Sequence, residues 1–176
     1  DIFFALAGPN YDGHQFINEA IKKGACVVVS NAPVLNHEKK VIVVNDVLKA
    51  LIALGKSSRN RNKGKIIAVT GSSGKTTVKE MLALSLSDSG KIHYSQSSYN
   101  NKIGVSLSLA RMPSDTDFSI FEVGMNNYGE ISYLSKMIKP DIGLINNAGS
   151  AHIKYFKSKK EIEKEKLELI HGLNSG

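Results

Sequence analysis

The octapeptide Thr70 to Thr77, TGSSGKTT, lies between a short apolar run, Ile66-Ile67-Ala68-Val69, and a stretch of helical apolar spacing that begins at Val78. Residues of these types at this spacing bind phosphate. Glycines let backbone N–H groups converge on an anion, and the start of a helix adds its partial positive charge. Lys75 can neutralise a terminal phosphate, and the Thr76 hydroxyl can ligate Mg²⁺. The usual spacing, G-x-x-x-x-G-K followed by Ser or Thr, would place glycine where Val69 stands; the rest of the pattern is kept in a strand–loop–helix context. Thr70, Gly71, Ser72, Ser73, Gly74, Lys75, Thr76 and Thr77 are therefore the expected nucleotide-binding residues. A glycine-rich turn that merely starts a structural helix is the plainer alternative, and GKTT directly after an apolar strand speaks against it.

Further residues have chemistry to offer. Glu122 ends the apolar run Phe118 to Val123, where an ionised carboxylate is costly unless a cation accompanies it. A Mg²⁺ ion, bound directly or through water, is the expected partner, and a salt bridge to a lysine is the alternative. His152 follows the run Ile142 to Ile145 on a loop, where it is either a metal or substrate ligand or a structural histidine. Asn100 and Asn101 can donate to an anionic substrate or cap the helix that follows them. Lys166 falls within a stripe formed by Ile162, Leu169 and Ile170 in a helix that opens at the capping-box pattern Ser158-x-x-Glu161. Its stem lying along the core, with the ammonium in water or beside Glu163, is the ordinary explanation.

The elements that must position these residues alternate. A helix over His14 to Lys23, with Phe16, Ile17, Ala20 and Ile21 inward, separates strands over Asp1 to Leu6 and Ala25 to Val29. A strand over Val41 to Val44 and a helix from Asp46 lead to the polar stretch SSRNRNKGK, which reads as a linker. The boundary is placed there, giving domains 1–62 and 63–176. Beyond it, Val78, Met81, Leu82, Ser85 and Leu86 mark one face of a helix; strands at Ile92 to Ser95, Phe118 to Val123 and Ile142 to Ile145 alternate with helices ending at Leu109 and Ile138. Such alternation predicts an α/β fold: a small α/β domain, then a parallel-sheet domain with the phosphate loop, ligands gathering at the carboxyl ends of the strands.

Bulk properties bound the function. The apolar and charged fractions, 41% and 22%, are those of a globular protein, and no run is long enough to span a bilayer. A cytoplasmic location without membrane insertion is expected. The net charge of +7 suits anionic small molecules, but the lysines are scattered among acids, so nucleic-acid binding is not expected. The one cysteine, Cys26, beside Val27-Val28-Val29, reads as a small core hydrophobe.

The motifs together resemble the Mur ligases of peptidoglycan synthesis. TGSSGKTT, SSYNNKIGVSLSL from Ser97, EVGMNNYGEI from Glu122 and NNAGSAHI from Asn146 occur in that family's order. E-x-G-M-N-x-x-G-E-I most resembles the members that add D-alanyl-D-alanine to UDP-N-acetylmuramoyl-tripeptide, and DIFFALAGPNYDGHQF resembles their UDP-substrate domain. Tyr128, Ala148 and Ser150 depart from residues common in the family. The resemblance implies an ATP-dependent ligase forming an amide bond through an acyl phosphate. ATP and Mg²⁺ at two sites would be its cofactors, and UDP-N-acetylmuramoyl-tripeptide and D-alanyl-D-alanine its small-molecule partners. A monomer is expected. It implies that Lys75 contacts the β- and γ-phosphates, that Thr76 and Glu122 hold one Mg²⁺, and that His152 helps hold a second. Asn100 and Asn101 match substrate-side positions. KEKLEL from Lys164 matches the segment in which family members carry a lysine carbamylated by CO₂, so Lys166 is expected to be a carbamate ligand of the second metal. The resemblance also implies an internal piece, truncated at both ends, which alone should lack ligase activity. Another Mur-type amino-acid ligase and a non-catalytic ATP-binding module stay open.

Overall fold

The computed structural model describes residues 1–149, 156 and 158–174. The chain divides into two compact units, Asp1–Ala53 and Leu54–Gly176. In the first, β1 (Ile2–Phe4), the short hairpin β2 (Ala7–Gly8) and β3 (Tyr11–Asp12), α1 (Ile17–Lys22), β4 (Val27–Ser30) and β5 (Val41–Val43) follow in order. β1, β4 and β5 form a parallel sheet in the order β1-β4-β5. Its core is Ala5, Ile17 and Val28, with Phe3, Ile21, Val34 and Val41 packed around them. Two expectations fail here. Phe16 is exposed and stacks on Tyr11, ring centroids 5.6 Å apart, because α1 begins only after it. Cys26 is exposed as well, since it belongs to the turn before β4 and Val28 takes the buried position.

The first half of the polar stretch expected to be a linker, up to Arg61, is helical, and its last residue, Lys65, opens β6. α2 runs over Val47–Arg61, and the two units part within it, after Ala53 and before its polar end. The polar residues there are fasteners of the second unit. Arg59 donates to the carbonyls of Ile138 and Lys139, each at 2.8 Å, and the Asn62 amide reaches the Thr116 carbonyl at 3.0 Å. Both side chains are largely buried, which is why a composition that looks like loop is fixed structure.

The second unit is built from β6 (Lys65–Thr70), α3 (Lys75–Leu86), β7 (Ile92–Tyr94), α4 (Lys102–Arg111), β8 (Phe118–Glu122), α5 (Glu130–Ile138), β9 (Ile142–Ile145) and α6 (Lys159–Leu167). The four strands are all parallel, in the order β7-β8-β6-β9. The chain leaves β6 towards β7 on one side and leaves β8 towards β9 on the other. Right-handed crossovers therefore put α3 on one face and α4 and α5 on the opposite one. On the α3 face, Ile67, Val69, Ala83 and Ile120 form a core, flanked by Val78, Leu82, Leu86, Ile92 and Leu144. Met81, expected inward, is exposed, and Lys79 occupies the buried face instead. Ile170, likewise expected inward, is exposed, whereas Ile162 and Leu169 are buried.

After α6 a 3₁₀ turn, Glu168–Gly172, presses against α5. The Ser135 hydroxyl donates to the Leu169 carbonyl, and a β-carbon at Gly172 would lie 2.1 Å from the Ser135 carbonyl carbon. Backbone cannot yield as a side-chain tip can. Gly172→Ala is expected to cost about 1–3 kcal/mol of stability, read as a lower urea midpoint; an unchanged midpoint would show that this contact is not tight.

Candidate functional site

The parallel order carries the ends of β6, β8 and β9 to one edge. Val69 pairs with Glu122 on one side and with Leu144 on the other. Three segments therefore meet there: the loop 71–74 after β6, Glu122 with Val123 and Gly124 after β8, and Asn146 to Gly149 after β9.

The loop after β6 opens α3 without a side-chain cap. Gly74, the residue before the helix, sits at φ +72, a left-handed conformation that favours glycine. The first-turn N–H groups of a helix have no partner within it, so those of α3 face outward as anion donors. The loop is braced from β9. Asn147 Oδ1 accepts from the Ser72 and Ser73 amides at 3.0 and 3.1 Å, and the amides of Asn146 and Asn147 donate to the Ser73 carbonyl at 3.0 and 3.1 Å. Ser72 Oγ donates to the Gly149 carbonyl and accepts from its N–H. These asparagines escaped the sequence reading, although a polar pair directly after a strand that ends at the same edge was the available signal. Lys75 Nζ donates to the Gly71 carbonyl at 2.7 Å, which folds the lysine over its own loop. Burial lowers its pKa, and the charge of Glu122 acts against that shift. Thr76 is half-buried on the first turn.

Glu122 is wholly buried. Lys79 Nζ, also buried, lies 3.2 Å from Glu122 Oε1, close enough to pair in charge, yet neither carboxylate oxygen has a hydrogen-bond partner among the described residues. The approach is thus an ion contact not aligned as a hydrogen bond, and the lone pairs keep room for another cation. Lys79 spends donors elsewhere, on the carbonyls of Ser95 at 2.8 Å and Ser97 at 3.1 Å. The alternative of a lysine salt bridge is therefore present, and it does not exhaust the carboxylate. Among the described residues no three His, Cys, Asp or Glu side chains converge as a metal cluster. A hard cation here would take one carboxylate and a hydroxyl from the protein and its remaining oxygens from phosphate and water, as Mg²⁺ does.

Asn101 caps α4, its Oδ1 accepting from the Gly104 amide at 2.9 Å, and it lines a cavity with Asn126, Tyr128 and Tyr133. Asn100 lies over Gly124. A β-carbon there would be 2.7 Å from Asn100 Oδ1, so glycine makes the space that brings this amide to the β8 end.

Lys166 is 1% exposed on α6, while Lys164 on the same helix is exposed. Burial, and next the nearby charge of Lys75, lower the Lys166 pKa to about 8, with Glu165 opposing. Lys166 therefore stands within electrostatic reach of the phosphate loop. Its neighbour Glu165, which sequence reasoning missed, fixes that placement. Glu165 Oε1 accepts from the Gly129 amide at 2.9 Å and from that of Ile131 at 3.4 Å, so α6 supplies the acceptor for the uncapped start of α5. Ser158 caps α6, its Oγ accepting from the Glu161 amide at 3.3 Å. His152 lies outside the described residues.

The family model for the Mur ligase middle domain matches residues 69–176. The chain is 44% identical over 171 residues to the UDP-N-acetylmuramoyl-tripeptide--D-alanyl-D-alanine ligase of Rickettsia prowazekii, covering 97% of this chain and 38% of that protein. It is 37% identical to the Bacillus subtilis ligase of the same name, covering 98% of this chain and again 38% of the relative. Among solved structures, a crystal structure of MurF from Acinetobacter baumannii superposes with a TM-score of 0.88 at 35% identity, over 99% of this chain and 39% of that one. MurF ligase from Thermotoga maritima in complex with ADP gives 0.85 at 30% identity, over 100% of this chain and 41% of that one. The chain thus spans well under half the length of these relatives.

Glu165 yields a stability test independent of any ligand. Glu165→Ala removes the acceptor at the start of α5 and is expected to cost about 1–2 kcal/mol, whereas Glu165→Gln keeps an oxygen and loses less. Equal urea midpoints for the alanine variant and the wild type would exclude the capping role.

Proposed function

The chain belongs to the Mur ligase family, and from that premise we propose that it is the nucleotide-holding part of a ligase that joins D-alanyl-D-alanine to UDP-N-acetylmuramoyl-tripeptide at the expense of ATP. The observation that carries this reading is one edge of one sheet holding a braced phosphate loop, a buried carboxylate with unclaimed oxygens and a buried lysine of lowered pKa. A module that only bound ATP would have no use for the last of these.

In the proposed reaction the peptide's terminal carboxylate oxygen bonds to the γ-phosphorus as the bond to the β–γ bridging oxygen breaks, and ADP leaves. The amine of D-alanyl-D-alanine then attacks the acyl carbon; phosphate departs with the electron pair and the amine gives up a proton. Phosphoryl transfer asks the protein for positioning and positive charge. The N–H groups at the start of α3 bind the phosphates, and Lys75 exchanges the Gly71 carbonyl for a phosphate oxygen. Thr76 and Glu122 would hold a Mg²⁺ ion, and the unpartnered Glu122 oxygens fit it. When bound, that ion supplies charge neutralisation at the phosphate oxygens. Asn100 and Asn101 face the substrate side.

Lys166 is proposed to carry a carbamate. Its neutral amine attacks CO₂, an N–C bond forms and a proton leaves to solvent. A pKa near 8 leaves roughly a tenth of the amine neutral at pH 7, where an ordinary lysine has almost none. The product turns a buried cation into an anion able to hold a second metal, together with His152. A cytoplasmic, monomeric enzyme completes the reading. No helix among the described residues is long and apolar enough to cross a membrane.

In the full-length protein, Lys75→Ala is expected to lower turnover by at least about 10²–10³-fold, and turnover equal to wild type would overturn the loop assignment. Lys166→Ala should be nearly inactive and recover in part with added short carboxylates, while Lys164→Ala stays close to wild type. If the two lysine variants behave alike in steady-state assays, the carbamate proposal is wrong.

A further inference from the structure

We propose that Lys79 is a built-in stand-in for the divalent cation at Glu122, a positioning residue whose charge offsets the buried carboxylate while no metal is bound and sets how tightly the metal is then held. This rests on the reading of Glu122 as a Mg²⁺ ligand.

Lys79 and Glu122 are both wholly buried, at the first turns of α3 and the end of β8. A buried carboxylate commonly satisfies its oxygens with hydrogen bonds, and this one does not. What it has is charge. Lys79 Nζ stands 3.2 Å from Oε1, and of its three protons two are accounted for by the carbonyls of Ser95 and Ser97. Those carbonyls follow β7, so the ammonium is anchored from a third strand and cannot swing to align on Glu122. The Tyr94 ring, 5.5 Å from Nζ, closes another side. The ammonium is thereby held where it offsets the carboxylate without claiming its lone pairs.

The consequence has a definite sign. A fixed positive charge beside a metal ligand repels the arriving metal, so Lys79 trades metal affinity for a charge-balanced, folded site in the metal's absence. A lysine with only a structural role would leave metal affinity unchanged, or weaken it when removed.

The test is the melting temperature of the full-length protein titrated with Mg²⁺ at a fixed concentration of ADP. Wild type should show a Mg²⁺-dependent rise that Glu122→Gln abolishes; if Glu122→Gln keeps the rise, the metal reading of Glu122 itself fails. With that rise established, Lys79→Met should melt lower than wild type in metal-free buffer and reach half of its Mg²⁺-dependent rise at a concentration at least about tenfold lower. The double variant Lys79→Met with Glu122→Gln removes both charges and should recover the metal-free melting temperature without responding to Mg²⁺. An unchanged or weaker Mg²⁺ response in Lys79→Met overturns the proposal. So does its failure to fold even in Mg²⁺, because the metal would then not replace the lysine, and so does a double variant melting as low as the single one.

Discussion

A carboxylate with no solvent contact at the end of a central strand is the constraint around which the second unit is arranged. A buried carboxylate is costly without a cation beside it, and three lysines answer the same edge: Lys79 in contact, Lys75 within electrostatic range, and Lys166 within range of Lys75. Lys75, Lys79 and Lys166 outnumber Glu122 and Glu80, whose Oε1 lies 3.9 Å from Lys79 Nζ, and Glu165 is committed to the amides at the start of α5, so this edge carries net positive charge. A polyanion entering this edge resolves that imbalance. Burial first and repulsion from Lys75 second depress the Lys166 pKa; in the proposed complex the ATP phosphates would relieve only the second, which would couple nucleotide binding to the state of Lys166 through Lys75.

Much of the fold was legible because its signals are local. Apolar runs of strand length alternating with helical spacing gave the parallel sheet, and TGSSGKTT marked the loop that β6 delivers to the edge. Glu122 was found because a charge at the end of an apolar run is conspicuous. Lys79 was missed for the converse reason: apolar spacing along α3 was read with Met81 inward, and a buried lysine carries no apolar signal. Its burial depends on Ser95, Ser97 and Glu122, partners contributed by two other strands. Arg59 and Asn62 misled in the same way, a polar composition concealing side chains consumed by carbonyls far along the chain. Sequence periodicity reports which face is oily; it does not report polar groups buried by long-range bonds.

The bracing of the phosphate loop from β9 bears on how much binding energy survives as affinity. A glycine-bearing loop is disordered at little cost unless something holds it, and ordering it on binding would consume part of the gain from phosphate contacts. Asn146 and Asn147 satisfy the Ser72 and Ser73 amides and the Ser73 carbonyl, which fixes the outer half of the loop before any ligand arrives. The inner half, from Gly74 into the first turn of α3, is left for the ligand, because Gly74 offers no capping side chain. In the proposed complex the groups that bind would differ from those that brace, and the Ser72 and Ser73 amides, expected from the sequence among the nucleotide-binding groups, are already taken by Asn147. The phosphate contacts proposed here would therefore not compete with the loop's own bonds, except at Lys75, where a neutral carbonyl would be exchanged for an anionic oxygen. That exchange favours the ligand, since a charge-assisted bond is roughly twice as strong as one to a neutral acceptor, and it confines the rearrangement on binding to one flexible side chain on a backbone already in place.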